Sequence, residues 1–221
     1  MPNWDKYYEF YRTNYRSSTI ADQVPAYKKA LDQLQITDPK TVVLGGFASR
    51  RSLEHFENLV RELFPNARTF ALDINSQPLV AVTSPQVYER PPSHSSPLLQ
   101  ANLCSLPFVR GSVDLLILDY TFNCMTQQQV KGFLNSETTS NSLAPNGTVL
   151  ATLVNTERAS PIRKFQLWWM RNILKHPYNF YSTDKLLENT GLFELAYRDQ
   201  SAHMHVNDLS VDIIALKTAR K

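Results

Sequence analysis

The stretch Thr41–Arg51, TVVLGGFASRR, joins a short apolar run, two glycines and the start of a charged segment. The run Val42–Leu44 has no polar alternation, which predicts a strand buried on both faces. Gly45 and Gly46 then allow a tight turn. Beyond the turn, apolar residues recur at helical spacing: Leu53, Phe56, Leu59, Val60 and Leu63. This strand, turn and helix unit presents unpaired N–H groups at the helix start, which suit a polar or anionic group of a nucleotide-like ligand.

A second apolar strand is predicted over residues 69–72, and it ends on Asp73. A helical connection between neighbouring strands is a right-handed parallel crossover, so the sheet is expected to be doubly wound, with its ligand beyond the carboxyl ends of the strands. Asp73 lies at that edge. The clearest strand, Val113–Leu118, delivers Asp119 and Tyr120 to the same edge.

The remaining segments predict alternating helices and strands. An aromatic-rich helix is predicted at residues 4–16, and a second helix carries Pro25 in its first turn. Further strands are predicted at 98–101 and 148–154, and further helices begin at Thr126, Ser160 and Asp184. Residues 75–97 are rich in proline and serine and read as loop. The runs 193–197 and 209–216 predict an antiparallel hairpin at the sheet edge.

The helix that begins at Ser160 has one apolar face, formed by Ile162, Phe165, Trp169 and Ile173. This spacing favours packing of Trp169 in the core. A wall of a substrate pocket, formed by Trp168 and Trp169, is the alternative.

Length favours one domain spanning residues 1–221. The aromatic helix of residues 4–16 is expected to pack across the main body, and a lid over a ligand is the alternative. The N-terminal helices of residues 1–38 would then cap a pocket on a core of residues 39–217.

The balance of 23 basic and 20 acidic residues gives no strong nucleic-acid signal. Cys104 and Cys124 have no metal-ligand spacing and read as reduced thiols. Neither a signal peptide nor a long apolar span is evident in the sequence, so a cytoplasmic protein without a membrane partner is expected. Oligomeric state is left open.

Taken together, these segments resemble the class I S-adenosylmethionine-dependent methyltransferases over residues 41–217. Four matches carry the resemblance: TVVLGGFAS for the strand and glycine loop, FALDIN for the second strand and its acid, QANLCSLPFVRGSVDLLILD for the approach to the fourth strand, and LAPNGTVLATLV for the fifth. The resemblance implies a three-layer, Rossmann-like α/β fold. Its seven-stranded, mostly parallel sheet would have the order 3-2-1-4-5-7-6, with an antiparallel C-terminal hairpin.

The resemblance also implies the cofactor S-adenosylmethionine and a methyl acceptor, expected to be a small molecule. The implied cofactor-binding residues are Gly45, Gly46, Phe47, Ala48, Asp73, Ile74, Asn102, Leu103 and Asp119. Asp73 would bind the ribose hydroxyls, because an ionised carboxylate forms strong, charge-assisted hydrogen bonds. Catalysis would rest on aligning the acceptor with the methyl group and on removing a proton where the acceptor carries one. Asp119 and Tyr120 are the candidate catalytic residues.

Several positions depart from the family pattern. Leu44 stands where the family commonly has an acid, Ala48 and Arg50 replace two loop glycines, and Asn102 replaces the acid near the adenine. A methyltransferase-fold binding or scaffold protein without catalysis is therefore a second hypothesis. A third is another nucleotide-binding enzyme, although the spacing from Gly46 to Asp73 exceeds the roughly 20 residues of the dinucleotide fingerprint.

No metal site is predicted. Asp119 could serve as one ligand, but the fifth strand is followed by Asn155 and Glu157 rather than by an adjacent acid and amide. His203 and His205 lack a third ligand.

Overall fold

The computed structural model describes residues 19–47, 50–74, 96–156, 159–173, 182–188, 191–204 and 209–219. The predicted helix at residues 4–16 and most of the segment 75–97 lie outside these ranges. The described helices are α1 Thr19–Gln33, α2 Arg50–Leu63, α3 Thr121–Cys124, α4 Gln127–Leu134, α5 Glu137–Ser142, α6 Pro161–Asn172 and α7 Thr183–Leu187. The described strands are β1 Thr41–Gly45, β2 Arg68–Asp73, β3 Leu98–Gln100, β4 Val113–Leu118, β5 Leu143–Val154, β6 Phe193–Met204 and β7 Leu209–Thr218.

The strands form one sheet in the order β3-β2-β1-β4-β5-β7-β6. Strands β1 to β5 pair in parallel, and β7 pairs antiparallel to both β5 and β6. This order confirms the predicted topology and the predicted hairpin. Because the five parallel strands share one direction, the carboxyl ends of β1, β2 and β4 meet at one edge, and the residues that follow them are brought together.

Helices cover both faces of the sheet, which gives three layers. One apolar cluster joins the sheet to α1, α2 and Leu167 of α6, and a second joins it to α3, α4 and α7. Alternate residues of β4 enter the two clusters: Leu115 and Ile117 face one, and Leu116 and Leu118 face the other. The unbroken apolar runs of β1 and β4 are thus explained by burial on both sides.

Local hydrogen bonds define several helix boundaries. Thr126 caps α4 in a capping box with Gln129, as the predicted cap requires. Helix α1, in contrast, begins at Thr19, so the prediction that Pro25 lies in its first turn is wrong, and this proline sits in the helix interior. Proline there removes one backbone hydrogen bond. Packing of Tyr27, Ala30 and Leu31 in the core offsets that loss.

The prediction that Trp169 packs in the core is also wrong. Trp168 is 52% exposed and Trp169 is 45% exposed, whereas Leu167 is buried. The helical spacing identified an apolar face, but α6 turns that face away from the sheet. None of the described helices is both long and apolar enough to cross a membrane.

Candidate functional site

The turn after β1 is hydrogen-bonded to the carboxyl end of β2. The N–H of Gly46 donates to the carbonyl of Leu72 at 2.8 Å, and the N–H of Phe47 donates to Oδ2 of Asp73 at 3.2 Å. Gly46 has φ +75°, a conformation that glycine adopts without strain. The carboxylate of Asp73 is therefore held at the carboxyl edge of the sheet, beside the glycine turn, as the sequence predicted.

An amide and an exposed apolar side chain lie next to Asp73. The Ile74 side chain is 57% exposed. The N–H of Ala101 donates to the carbonyl of Asp73 at 2.9 Å, which brings the exposed Asn102 to the same edge. Oδ1 of Asn102 accepts the N–H of Cys104 at 2.9 Å and so orders the turn that carries Leu103. A carboxylate, an apolar flank and an amide suit the ribose and adenine of a nucleoside.

The two glycines are closely covered by the protein's own side chains. A Cβ at Gly46 would lie 2.8 Å from Oγ1 and Cγ2 of Thr121, and one at Gly45 would lie 2.7 Å from Leu103 and from Leu118. The hydroxyl of Thr121 also donates to the carbonyl of Gly45 at 2.6 Å. The positive φ of Gly46 and its contact with Thr121 thus favour glycine at that position independently of any ligand, whereas at Gly45 a Cβ would require the ends of two leucine side chains to shift.

The tip of β4 is hydrogen-bonded to α1 and β5. Oδ1 of Asp119 accepts from the Tyr27 hydroxyl at 2.8 Å and from the Thr152 hydroxyl at 3.0 Å. Thr152 Oγ1 in turn accepts the N–H of Tyr120 at 2.8 Å. Two hydroxyls therefore orient the carboxylate of Asp119 at the edge of the sheet.

Tyr120 reaches the same edge, but its side chain is buried in the cluster beneath α1. Its hydroxyl lies 3.4 Å from Nε2 of Gln23. Its backbone has φ 53°, which is uncommon for a residue with a side chain. Strained residues of this kind cluster at functional sites, and the catalytic role of Tyr120 stays a prediction.

Tyr27 gives a testable dependence of stability on pH. Burial, together with the negative charge of Asp119, raises the pKa of Tyr27 well above its ordinary value. An unfolded tyrosine ionises near pH 10, whereas folded Tyr27 keeps its proton. The stabilisation is therefore complete below about pH 10 and is lost as the pH rises further.

We expect Tyr27→Phe to lower the free energy of unfolding by about 1 kcal/mol at neutral pH, because the hydrogen bond to Asp119 is lost. The variant should also lose stability less steeply above about pH 10. Urea unfolding at several pH values measures both effects. Tyr197→Phe is the comparison, because burial raises the pKa of Tyr197 less strongly, so this variant should change the alkaline slope in the same direction but by less. An unchanged alkaline slope in Tyr27→Phe would contradict this account.

The structure brings together Gly45, Gly46, Phe47, Asp73, Ile74, Asn102, Leu103, Asp119 and Tyr120, which we term the strand-tip site. Ala48 lies outside the described residues. Leu44 points into the core, so it does not occupy the site. Sequence reasoning missed Tyr27, Thr152 and Thr121 as partners of the site. Tyr27 and Thr152 lie 92 and 33 residues from Asp119, so no local sequence signal connects them to it.

A polar network lies beside the end of β5. Asp212 is fully buried, and its carboxylate accepts from Nε and Nη2 of Arg198 at 3.1 and 2.7 Å and from Nδ2 of Asn155 at 3.0 Å. Arg198 also pairs with Asp184 of α7. This network ties β5, β6, β7 and α7 together on the side of the sheet where an acceptor would approach.

A cavity of about 480 Å³ opens at the opposite, amino-terminal end of β4 and β5. Its lining includes Arg110, Glu137, Asn141 and Pro145. The residues suited to a nucleoside lie at the other edge, so we place the candidate site there. Within the described ranges, no group of three metal-ligating side chains is found.

No known protein-family profile matches the sequence, and no curated protein matches it. Several solved structures are similar to this chain in fold. A SAM-dependent methyltransferase from Leishmania major is similar with a TM-score of 0.66 at 14% identity, covering 97% of this chain and 82% of that one. Geranyl diphosphate C-methyltransferase from Streptomyces coelicolor A3(2), solved with Mg²⁺, geranyl diphosphate and S-adenosyl-L-homocysteine, has a TM-score of 0.58 at 12% identity, covering 88% and 77%.

The pyocyanin biosynthetic protein PhzM is similar with a TM-score of 0.56 at 16% identity, covering 86% of this chain. The chain spans about half of that protein, 53% of its length. At such identities the likeness establishes architecture, and the strand order is the same as that expected from the sequence. The chain therefore has the fold of the class I S-adenosylmethionine-dependent methyltransferases.

Proposed function

We propose that this chain is an S-adenosylmethionine-dependent methyltransferase that acts on a small molecule in the cytoplasm. The observation that carries the proposal is the carboxylate of Asp73, held at the tip of β2 by the turn after β1. Exposed Ile74 and Asn102 lie beside it. The similar structure solved with S-adenosyl-L-homocysteine and geranyl diphosphate supports both the cofactor class and the size of the acceptor.

In this proposal Asp73 would accept hydrogen bonds from the two ribose hydroxyls. Ile74 would pack against the adenine, while Asn102 and Leu103 would line its edge. The backbone of Gly45, Gly46 and Phe47 would face the methionine portion, and Ala48 would continue that loop. S-adenosylmethionine, when bound, supplies an activated methyl group on a positively charged sulfur.

Asp119 would orient the acceptor and accept its proton where one must leave. Tyr27 and Thr152 hold its carboxylate in place, so the group is oriented before the acceptor arrives. The buried side chain of Tyr120 suits a positioning role in the turn that follows β4.

A second candidate function is a non-catalytic binding or scaffold protein with this fold. The positive φ of Gly46 and its close contact with Thr121 favour it, because they explain this glycine without a cofactor. Under this alternative, the chain would retain the architecture but transfer no methyl group.

Calorimetry with S-adenosylmethionine and S-adenosyl-L-homocysteine tests the proposal. We expect binding of both, followed by transfer of a labelled methyl group to a component of a small-molecule extract. Absence of binding by both ligands at millimolar concentration would exclude the methyltransferase. Binding without any transfer to the extract would support the second candidate function.

A further inference from the structure

Helix α6 carries an apolar face that the rest of the described structure does not cover. We term this set the α6 face: Ile162, Phe165, Trp168, Trp169 and Ile173, all between 45% and 72% exposed. Phe165 stacks on Trp168 with ring centroids 5.9 Å apart, so the exposed rings form one surface. Contiguous exposed apolar surfaces of this kind mark interaction sites.

The α6 face points away from the protein interior. Leu167 of α6 is buried and belongs to the cluster that contains Val154 and Val211. Phe165 and Trp169 each lie two residues from Leu167, and two residues are roughly 200° apart around a helix. The helix therefore packs against the protein through Leu167, and the α6 face on its other side points outward.

The charged residues of α6 indicate what kind of surface binds the α6 face. The helix PIRKFQLWWMRN contains no acidic residue, and the exposed Lys164 lies one turn before Trp168, at the border of the α6 face. Tryptophan is enriched where an apolar phase meets water, and basic residues beside an apolar helical face attract anionic lipid headgroups. We propose that the α6 face docks on the surface of an anionic phospholipid membrane.

Other occupants fit the charges less well. A second copy of the chain would place the same basic helix against itself, and like charges across an interface are unfavourable. Residues 1–18 are rich in aromatic side chains, but they contain three basic and two acidic residues, so they carry no net negative charge to balance α6. An anionic membrane complements both the apolar face and the positive charge.

Docking would set the orientation of the molecule. Helix α6 follows β5 in the chain, and its buried Leu167 belongs to the same apolar cluster as Val154, the last residue of that strand. The membrane would therefore lie beside the carboxyl end of β5. This inference does not depend on the proposed function, because the α6 face is separate from Asp73 and its neighbours.

Co-sedimentation of the full chain with vesicles tests the inference. We expect binding to vesicles of equal parts phosphatidylcholine and phosphatidylglycerol at least about tenfold tighter than to phosphatidylcholine alone, and weaker binding as salt is added. Combined Trp168→Ala and Trp169→Ala should weaken binding at least roughly tenfold. Leu195→Ala, at an exposed apolar residue of β6, is the matched control and should leave binding unchanged.

Charge reversal provides a second comparison. Lys164→Glu should weaken binding to the anionic vesicles about tenfold. Lys131→Glu, on α4 at the opposite face of the sheet, should have little effect. Absence of vesicle binding, or equal binding by the tryptophan variant, would overturn the inference. So would a dimer in light scattering that the same variant converts to a monomer, because a second copy would then be the occupant.

Discussion

Replacement of Asp73 by alanine is expected to weaken binding of S-adenosylmethionine by about a hundredfold or more, because two charge-assisted hydrogen bonds to the ribose would be lost. The affinity for S-adenosyl-L-homocysteine should fall by the same factor, since the two ligands share the ribose. Asp73→Asn should lie between alanine and wild type, because the amide keeps one acceptor but lacks the charge. Calorimetry measures the dissociation constants of both ligands for the wild type, Asp73→Ala and Asp73→Asn.

Glu62→Ala on the outer surface of α2 is the control for this experiment. Glu62 pairs with Lys28 at 2.6 Å away from the strand-tip site, so its loss should not change ligand affinity. If Asp73→Ala folds normally and binds both ligands as tightly as wild type, the carboxylate does not hold the ribose.

The largest effect on stability is expected from Asp212. Asp212→Ala should lower the free energy of unfolding by about 3–5 kcal/mol, because it removes the buried carboxylate that balances the charge of the mostly buried Arg198 and accepts from Asn155. Urea denaturation monitored by circular dichroism provides the measurement. Combined Asp212→Leu and Arg198→Leu should cost less than Asp212→Ala alone, since both charges are then removed.

An exposed ion pair gives the comparison for this prediction. Glu62→Ala breaks the ion pair with Lys28, in which the Glu62 side chain is 61% exposed and the Lys28 side chain is 35% exposed. This change should lower the free energy of unfolding by at most about 1 kcal/mol. If Asp212→Ala and Glu62→Ala lower the free energy of unfolding equally, burial does not make the Asp212 network more stabilising than an exposed ion pair.

The sequence predicted the features that depend on short-range patterns. The unbroken apolar runs of β1 and β4 identified strands buried on both faces, and the position of Asp73 at the end of β2 followed from the chain order. The sheet order came from the resemblance, whose four matched segments lie on β1, β2, β4 and β5. Helix α5, ETTSNS, has no apolar periodicity, and the structure shows that its capping by Ser136 and the bond from Thr139 to the Leu103 carbonyl hold it.

Features that depend on long-range contacts could not be predicted. The bonds from Tyr27 to Asp119 and from Arg198 to Asp212 join distant segments, and no spacing rule connects them. The orientation of α6 is a different case. Periodicity shows that Ile162, Phe165 and Trp169 share a face, but the direction of that face depends on where the chain enters and leaves the helix. Helical spacing therefore predicts amphipathicity, and only the tertiary structure shows what the face meets.

The bond from the Thr121 hydroxyl to the carbonyl of Gly45 has a consequence for how the two halves of the site affect each other. It joins the turn on the acceptor side to the turn on the cofactor side, so displacement of one must move the other. Under the proposed function, occupancy of either half then changes the affinity of the other half by the same factor. The affinity for S-adenosyl-L-homocysteine measured with and without the acceptor, and the affinity for the acceptor measured with and without S-adenosyl-L-homocysteine, should therefore change by one common factor.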